Sequence, residues 1–551
     1  MLDIKCIILP FIVLAIINSN ETNCEILRDA KDLAHLVPYP QQIVSYATQL
    51  TIDSNNFKFV TKTKQKCDLL DDAIKRYRKL AFINGCYNLH NENKSPFESI
   101  ELNPNEDYLT NITIEVKGDC VDQWPHLHMD EMYTLRIDTQ DFPKQAFLFA
   151  NTIWGALRGL ETFSQLIQHK SDNTFAINST FIVDFPRFTY RGVLIDTSRH
   201  FLPIHVIHEN LEAMSYYKMN VLHWHIVDDQ SFPYVSQEFP ELSSKGSYNP
   251  KTHVYSAEDI KNVIEFARYR GIRVIVEFDT PSHCLSWGKG YPHLLTQCYS
   301  GDKPNGQLGA MNPSRNTTFE FLNSLFKEIA NRFPDQYIHI GGDEVNTTCW
   351  KSNPEIQLFM KDLGISGEYD KLEEYFFKRL IKNISGLNKS WIVWQEVFDR
   401  NISIPNNTIV NVWKQNFNTE LYELTKLDYE VILSSCWYLN KISYGYDWFQ
   451  YYTCDPQGFN GTDHQNSLVL GGQASMWGEW VDASNFMTRT WPRAMSVAER
   501  LWSPKSLSNA TEAQYRFVPN RCRMLERGLR LQPVVEPKEY KFGFCRCDSD
   551  V

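Results

Sequence analysis

Beyond one apolar run near its start, the chain has no hydrophobic stretch of bilayer-spanning length, so no stable membrane insertion of the mature protein is expected. Positive charge is also in short supply. Lys and Arg total 55 against 66 Asp and Glu, giving a formal charge of −11 and a sequence pI near 5.8. That balance excludes nucleic acid and other polyanions as electrostatically favoured partners. No CxxC pair and no histidine cluster marks a metal site, Cys545 and Cys547 forming only a CxC, so neither metal nor cofactor is expected.

What is present begins with size. A chain of 551 residues with 43% hydrophobic content is too long for one ordinary domain and apolar enough for a large core, which predicts two domains. Lys5 precedes the apolar run Cys6 to Ile17, which gives way to polar NSNETN, the layout of a secretory signal over residues 1–22. An uncleaved anchor is the alternative, although the run is too short to span a bilayer comfortably.

Asn-X-Ser/Thr acceptors stand at Asn20, Asn93, Asn111, Asn178, Asn316, Asn346, Asn383, Asn388, Asn401, Asn406, Asn460 and Asn509. Many would arise by chance in an Asn-rich chain. Cysteine points the same way: of thirteen, Cys6 lies in the signal, and the other twelve could pair in an oxidising compartment. Both counts fit passage through the secretory pathway.

Residues 23–185 mix extended segments, QLTIDSNNFKFV and NITIEVKG, with helical ones, DLLDDAIKRYRKLAF and TIWGALRGLETFSQLI, as in an α+β domain without a catalytic constellation. From 186 to 551 short apolar β-rich runs alternate with amphipathic helical patterns. Eight runs are counted: YRGVLIDTSR, NVLHWHIVDD, IRVIVEFDTPSH, YIHIGGDEV, SWIVWQEV, TIVNVWK, EVILSSCWYL and LVLGGQASMWGE. Eight predicts a closed (β/α)₈ barrel, an α/β fold. In each run the apolar half comes first and the polar or aromatic residues last, where a barrel enzyme places its site.

The fourth run ends in HIGGDEV, so Asp343 and Glu344 emerge side by side at the barrel mouth. Adjacent carboxylates repel when both are ionised, which predicts that one pKa of this pair rises to make a proton donor. A solvated helix N-terminus bearing two acids is the bland alternative. Conventional glycosidases set two carboxylates on opposite sides of the sugar, and neighbours on one strand end are badly placed for that. If both work on one sugar, the substrate's own 2-acetamido oxygen must attack C1. One carboxylate then protonates the leaving oxygen while the other holds the acetamide.

Trp394, Trp413 and Trp477 each fall at a predicted strand end, as do Trp437 and Tyr438. Flat rings pack well against sugar C–H faces and an acetamide methyl, though any one buried Trp is ordinary core. The remaining strand ends carry Arg199, Asp228, Asp229, His283 and Glu479, groups suited to gripping sugar hydroxyls. A structural ion pair is the alternative for Arg199, and a satisfied core histidine for His283.

RGVLIDTSRHFLP, NVLHWHIVDDQSFP, EFDTPSHCLSWG, HIGGDEV, WQEV, CWYLN and ASMWGE together resemble glycoside hydrolase family 20, the β-N-acetylhexosaminidases, over nearly the whole chain. GSYNP, LRGLETFSQL, KSNPEIQ and TWPRAMSVAERLWS resemble the animal lysosomal subunits in particular. The resemblance implies a small α+β domain before the catalytic barrel and release of terminal N-acetylhexosamine from a glycan or glycoconjugate. It implies Glu344 as general acid and then base, Asp343 orienting the acetamide, and Tyr438 donating to the acetamide oxygen. Trp394, Trp413 and Trp477 would line the pocket, Arg199 and Glu479 would hold ring hydroxyls, and Asp228 with His283 would support the acid. It also implies a lysosomal or secreted protein and a homodimer.

Asn440 and Lys441 stand where subunits that accept charged sugars resemble Asn-Arg, so Lys441 predicts some activity on 6-sulfated or otherwise anionic glycosides, held less exactly than by a planar guanidinium. The resemblance suggests the bridges Cys67 to Cys120, Cys298 to Cys349 and Cys522 to Cys545. Cys436 and Cys454 depart from its pattern and are read as a further bridge stiffening the loop of Tyr438 and Asn440, with Cys284 left as a buried thiol. Ser282 replaces the family's usual Gly. The loop from Gly301 to Pro304 differs at two of four residues from one implicated in lipid-activator docking, which leaves ganglioside turnover unsupported. The competing functions are a chitin-oligomer exo-hydrolase, which the same residues would serve, and a catalytically silent sugar-binding protein, which an intact Asp343, Glu344 and Tyr438 argue against.

Overall fold

A computed structural model describes residues 36–83, 107–120, 123–170, 174–441, 443, 445–535 and 545. The expected signal at 1–22, together with Cys24, Cys86 and Cys547, lies outside them. Among the described residues no helix is long and apolar enough to cross a membrane.

The first unit is a mixed sheet of β1 (Gln42–Ile52), β2 (Lys58–Lys62), β3 (Asn111–Val116), β4 (Tyr133–Thr139), β5 (Phe142–Ala150), β6 (Gln168–His169) and β7 (Phe175–Asp184). The strands lie in the order β1-β7-β4-β5-β3-β2, with β6 paired to β7. The segment QLTIDSNNFKFV, read as one extended stretch, is two strands separated by a turn. Asp53 makes that turn, its carboxylate accepting from the Asn55 backbone N–H at 3.0 Å and the Asn56 amide at 2.7 Å.

Helices α1 (Asp68–Ala81) and α2 (Ile153–Leu166) cover the sheet. Every residue of α2 is buried, because it lies between this sheet and the second unit. Arg158 on α2 donates to the backbone carbonyls of Arg270 and Gly271 at 3.0 and 2.8 Å, and Gln165 reaches the carbonyl of Tyr216 at 3.3 Å.

The second unit contains the strands β8 (Tyr190–Asp196), β9 (Val221–His225) and β10 (Arg273–Glu277), then the antiparallel pair β11 (Leu295–Ser300) and β12 (Lys303–Met311). It continues with β13 (Tyr337–His339), β14 (Ser390–Trp394), β15 (Ile409–Val412), β16 (Val431–Leu433) and β17 (Val469–Met476). Without the β11–β12 hairpin, the eight strands close into a parallel barrel in chain order, β17 pairing with β8. Each of the eight apolar runs supplies one of them. All residues of these strands are buried, as helices cover the outside and side chains fill the inside.

Alternation of side chains decides what the barrel contains. At its lower end Tyr190, Val221, Ile275, Tyr337, Ile392, Ile409, Ile432 and Leu470 form an apolar plug closed by Leu127 from the first unit. Two residues further along four strands, and three along β17 where its register shifts, the interior turns polar, with His223, Glu277, His339, Asn411 and Gln473 fully buried. The strand ends above that layer carry the candidate site.

Candidate active site

The loop after β13 is shaped by two glycines. Gly341 and Gly342 have φ of +76° and +106°, and a Cβ on Gly341 would lie 1.6 Å from Oδ1 of Asp279. Only glycine fits there, since the same carboxyl oxygen accepts the Gly342 N–H at 3.1 Å. Glu344 and His283 are both non-glycine residues in the left-handed region, at φ +50° and +52°. Backbone strain of this kind concentrates where a side chain must be aimed.

The tight turn divides the adjacent acids. The Asp343 side chain points inward and is 13% exposed, while that of Glu344 points outward and is 61% exposed. His283 stands between them, its Nε2 3.4 Å from Asp343 Oδ2 and 3.6 Å from Glu344 Oε2. Its Nδ1 is 3.2 Å from Asp228 Oδ1.

Burial works against a charge on His283, but Asp343, Asp228 and Glu344 together hold it as an imidazolium, its pKa far above the usual value. That cation changes the electrostatics expected from the sequence. The pKa of Glu344 is lowered, chiefly by His283, and that of Asp343 is lowered by His283 against the effect of burial. Neither member of the adjacent pair is raised. The carboxyl pushed well up is Asp279, through burial and then the Asp343 charge. Sequence adjacency set the expectation, and a cation from the loop after β10 overturns it.

Asp228 is a second organising group. Its Oδ2 lies 2.8 Å from both Arg199 and His225 Nε2, and burial is outweighed by these partners and His283, so its pKa is lowered strongly. Arg199 also binds Asp196 at 2.9 Å and lies 5.1 Å above the ring of Trp477. The ion-pair alternative for Arg199 is therefore part of the geometry, which leaves its guanidinium fixed at the pocket edge.

Trp394 and Trp477, ring centroids 5.9 Å apart, form one wall with Leu194, and Trp413 stacks on Tyr438 at 6.1 Å against the same cluster. The indole N–H of Trp394 donates to Glu277 at 2.6 Å and that of Trp413 to Glu396 at 2.8 Å. Burial raises the Tyr438 pKa well above its ordinary value, so it stays a hydroxyl donor. Asp343 Oδ1 is buried without a hydrogen-bond partner beside this pocket.

At the rim, Asn440 is partly buried with an unpartnered Oδ1, and exposed Lys441 holds its ammonium 5.8 Å from the Tyr438 ring. Glu479 is exposed, near enough to Arg199 to strengthen its charge. The structure thus brings Arg199, Asp228, His283, Asp343, Glu344, Trp394, Trp413, Tyr438 and Trp477 together, with Asn440, Lys441 and Glu479 outside them.

Cys436 and Cys454 are bridged across the base of the Tyr438 loop, and elsewhere Cys67 is bridged to Cys120, Cys298 to Cys349 and Cys522 to Cys545. Cys284 is a buried free thiol, and the Ser282 hydroxyl accepts the Asn346 backbone N–H at 3.3 Å. The sequence reading missed Asp196, His225, Glu277, Asp279 and Glu396. Strand alternation was a usable signal for two of these, because Ile275, Glu277 and Asp279 fall on one face of their run.

Residues 188–505 match the family described as glycosyl hydrolase family 20, catalytic domain, and residues 36–166 match one described as beta-acetyl hexosaminidase like. The chain is 47% identical over 518 residues to beta-hexosaminidase subunit alpha of Bos taurus, covering 93% of this chain and 94% of that one. It is 50% identical over 484 residues to beta-hexosaminidase subunit beta of Homo sapiens, covering 88% and 84%. Among solved structures, the chitobiase of Flavobacterium johnsoniae superposes with a TM-score of 0.76 at 29% identity, over 91% of this chain and 74% of that one.

Proposed function

The chain belongs to glycosyl hydrolase family 20 and hydrolyses terminal non-reducing N-acetylhexosamine residues with retention and substrate assistance; from that premise we propose how its own residues divide the reaction. Glu344 protonates the glycosidic oxygen as the acetamide oxygen attacks C1, and the C1–O bond breaks to give an oxazolinium intermediate. Asp343 accepts the acetamide N–H through its unpartnered Oδ1 and offsets the positive charge that develops there. The Tyr438 hydroxyl donates to the acetamide oxygen from the other side. Glu344, now a carboxylate, takes a proton from the water that attacks C1 and opens the ring, restoring the starting anomer.

Trp394, Trp413 and Trp477 enclose the acetamide and the sugar face, and Arg199 with Glu479 holds ring hydroxyls. Asn440 and Lys441 face the C6 side, where the Lys441 ammonium favours an anionic substituent. Catalysis is assigned to the barrel unit from residue 186 onward, the unit of 23–185 serving as its support. The bridges and sequons support delivery through the secretory pathway to a lysosome or the exterior. The relatives are named as subunits, which supports assembly, here as a homodimer measurable by light scattering.

The observation that carries this reading is the opposite orientation of the adjacent acids, one inward beside the aromatic pocket and one outward to solvent. Glu344→Gln tests it. Turnover of substrates with poor leaving groups should fall by several orders of magnitude, and that of good leaving groups much less. Equal losses on both would remove Glu344 as the acid. Comparable rates on aryl N-acetylglucosaminide and plain aryl glucoside would remove the acetamide as nucleophile.

A further inference from the structure

The group that ties the site together lies beneath it. Glu277 ends β10, its side chain fully buried in the barrel. Its Oε1 accepts the Trp394 indole N–H at 2.6 Å, and its Oε2 lies 2.7 Å from His225 Nδ1 and 2.9 Å from His223 Nε2. His339 Nδ1 approaches Oε1 at 3.3 Å. From His225 the chain of contacts runs upward: Nε2 to Asp228 at 2.8 Å, Asp228 to His283 at 3.2 Å, and His283 to Asp343 and Glu344.

We propose that Glu277 is a positioning residue that serves both halves of the site, fixing the Trp394 ring with one oxygen and, through His225, Asp228 and His283, the proton donor Glu344 with the other. This rests on the assignment of Glu344 as the acid. The charges along the route alternate: Glu277 anionic, His225 cationic, Asp228 anionic with Arg199 beside it, His283 cationic, then the catalytic pair. Every joint is thereby an attraction, between buried partners as far as His283 and Asp343 and reaching the solvent only at Glu344, which keeps the geometry without consuming substrate binding energy.

His225 is the sensitive joint. Burial opposes its protonation, but Glu277, with Asp228, pushes its pKa up to about 10. His339, which faces the same carboxylate, is pushed by burial down to about 3 and stays neutral. The other titratable neighbours are His223, Asp279 and Asp343. With Glu277 neutral, His225 would lose its proton within the ordinary assay range, and Asp228 would lose a cationic partner as pH rises.

Glu277→Gln in the full chain is expected to lower kcat by about ten- to a hundredfold, more for poor leaving groups, and to move the alkaline limb of the pH profile, set by Glu344, to lower pH, because an anion is removed while His225 is still protonated in that range. It should also weaken inhibition by free N-acetylglucosamine several-fold. Trp394→Phe, which removes the indole N–H and part of the ring but leaves the Glu277 carboxylate in place, should weaken that inhibition while leaving the limb in place. A folded Glu277→Gln protein with the wild-type limb and leaving-group dependence overturns the proposal. A measurement on the wild type decides the matter independently of folding: neutron diffraction at about pH 8, above the ~6.5 of a free imidazole, should show deuterons on both nitrogens of His225, and a bare nitrogen overturns the proposal. Neither result depends on the Glu344→Gln comparison, so failure of the acid assignment and failure of this one are told apart.

Discussion

The Nε2 of His283 lies 3.6 Å from Oε2 of Glu344, too far for a good hydrogen bond and near enough for an ion pair. The cation holds the free enzyme's Glu344 below the usual carboxylate range. If Glu344 is the proton donor proposed above, a lowered pKa confines its action to acid pH, because the donor must begin protonated. In His283→Gln the pKa of Glu344 should rise, so the alkaline limb of kcat/KM, which reports the free enzyme, should move to higher pH. At the same time kcat should fall, by about tenfold or more, as the side chain loses its anchor. A limb that stays put or moves to lower pH would show that His283 does not set this titration.

Gly341 tolerates no side chain. A Cβ there would lie 1.6 Å from Asp279 Oδ1, and the residue's φ is +76°. Gly341→Ala should displace Asp279 and the Asp343–Glu344 turn together, cutting kcat/KM by about 100-fold or more. Near-native activity in the purified variant would mean that the turn relaxes freely.

Glu131 holds the two units together electrostatically. It accepts from Arg158 of α2 at 2.8 Å, from Arg191 of β8 at 2.6 Å and from Asn220 at 3.3 Å, all buried. Glu131→Ala would leave two buried guanidinium groups uncompensated, at a cost of about 3–5 kcal/mol. Denaturant midpoints should show the loss while kcat of the folded fraction stays unchanged. A midpoint indistinguishable from the wild type would show that the arginines find other partners.

The bridge Cys436–Cys454 closes a separation of 18 residues around Tyr438. Replacing both cysteines by serine should cost about 3 kcal/mol through loop-closure entropy. It should also raise KM, because the Tyr438 loop would be less ordered before substrate arrives. Unaltered KM with lowered stability would confine the bridge to folding.

Lys441 extends from the rim beside Tyr438, exposed and free to meet a charged substituent. Lys441→Leu should reduce the ratio of rates on 6-sulfated and neutral aryl N-acetylglucosaminides several-fold, the scale of one partly screened charge contact. An unchanged ratio would remove Lys441 from substrate selection.

The amino-acid order alone determined the barrel, its eight strands and which polar and aromatic residues stand at their ends. Apolar residues must enter the interior and polar ones must emerge, so YIHIGGDEV and SWIVWQEV carry both the strand and its working end. The aromatic pocket was legible for the same reason, as Trp394, Trp413 and Trp477 terminate separate strands. What the order could not contain was the sign of the fields. Asp343 and Glu344 look like mutual repellers when read as neighbours, yet the closed barrel inserts His283, sixty residues earlier in the chain, between them. Glu277 likewise looks like one polar residue inside an apolar run, and only closure of the barrel sets it against His223 and His225 of β9, His339 of β13 and Trp394 of β14. Hydrophobic periodicity is a local property and survives in one dimension. Electrostatic coupling falls with distance through space, so it was decided only when the tertiary structure set those distances.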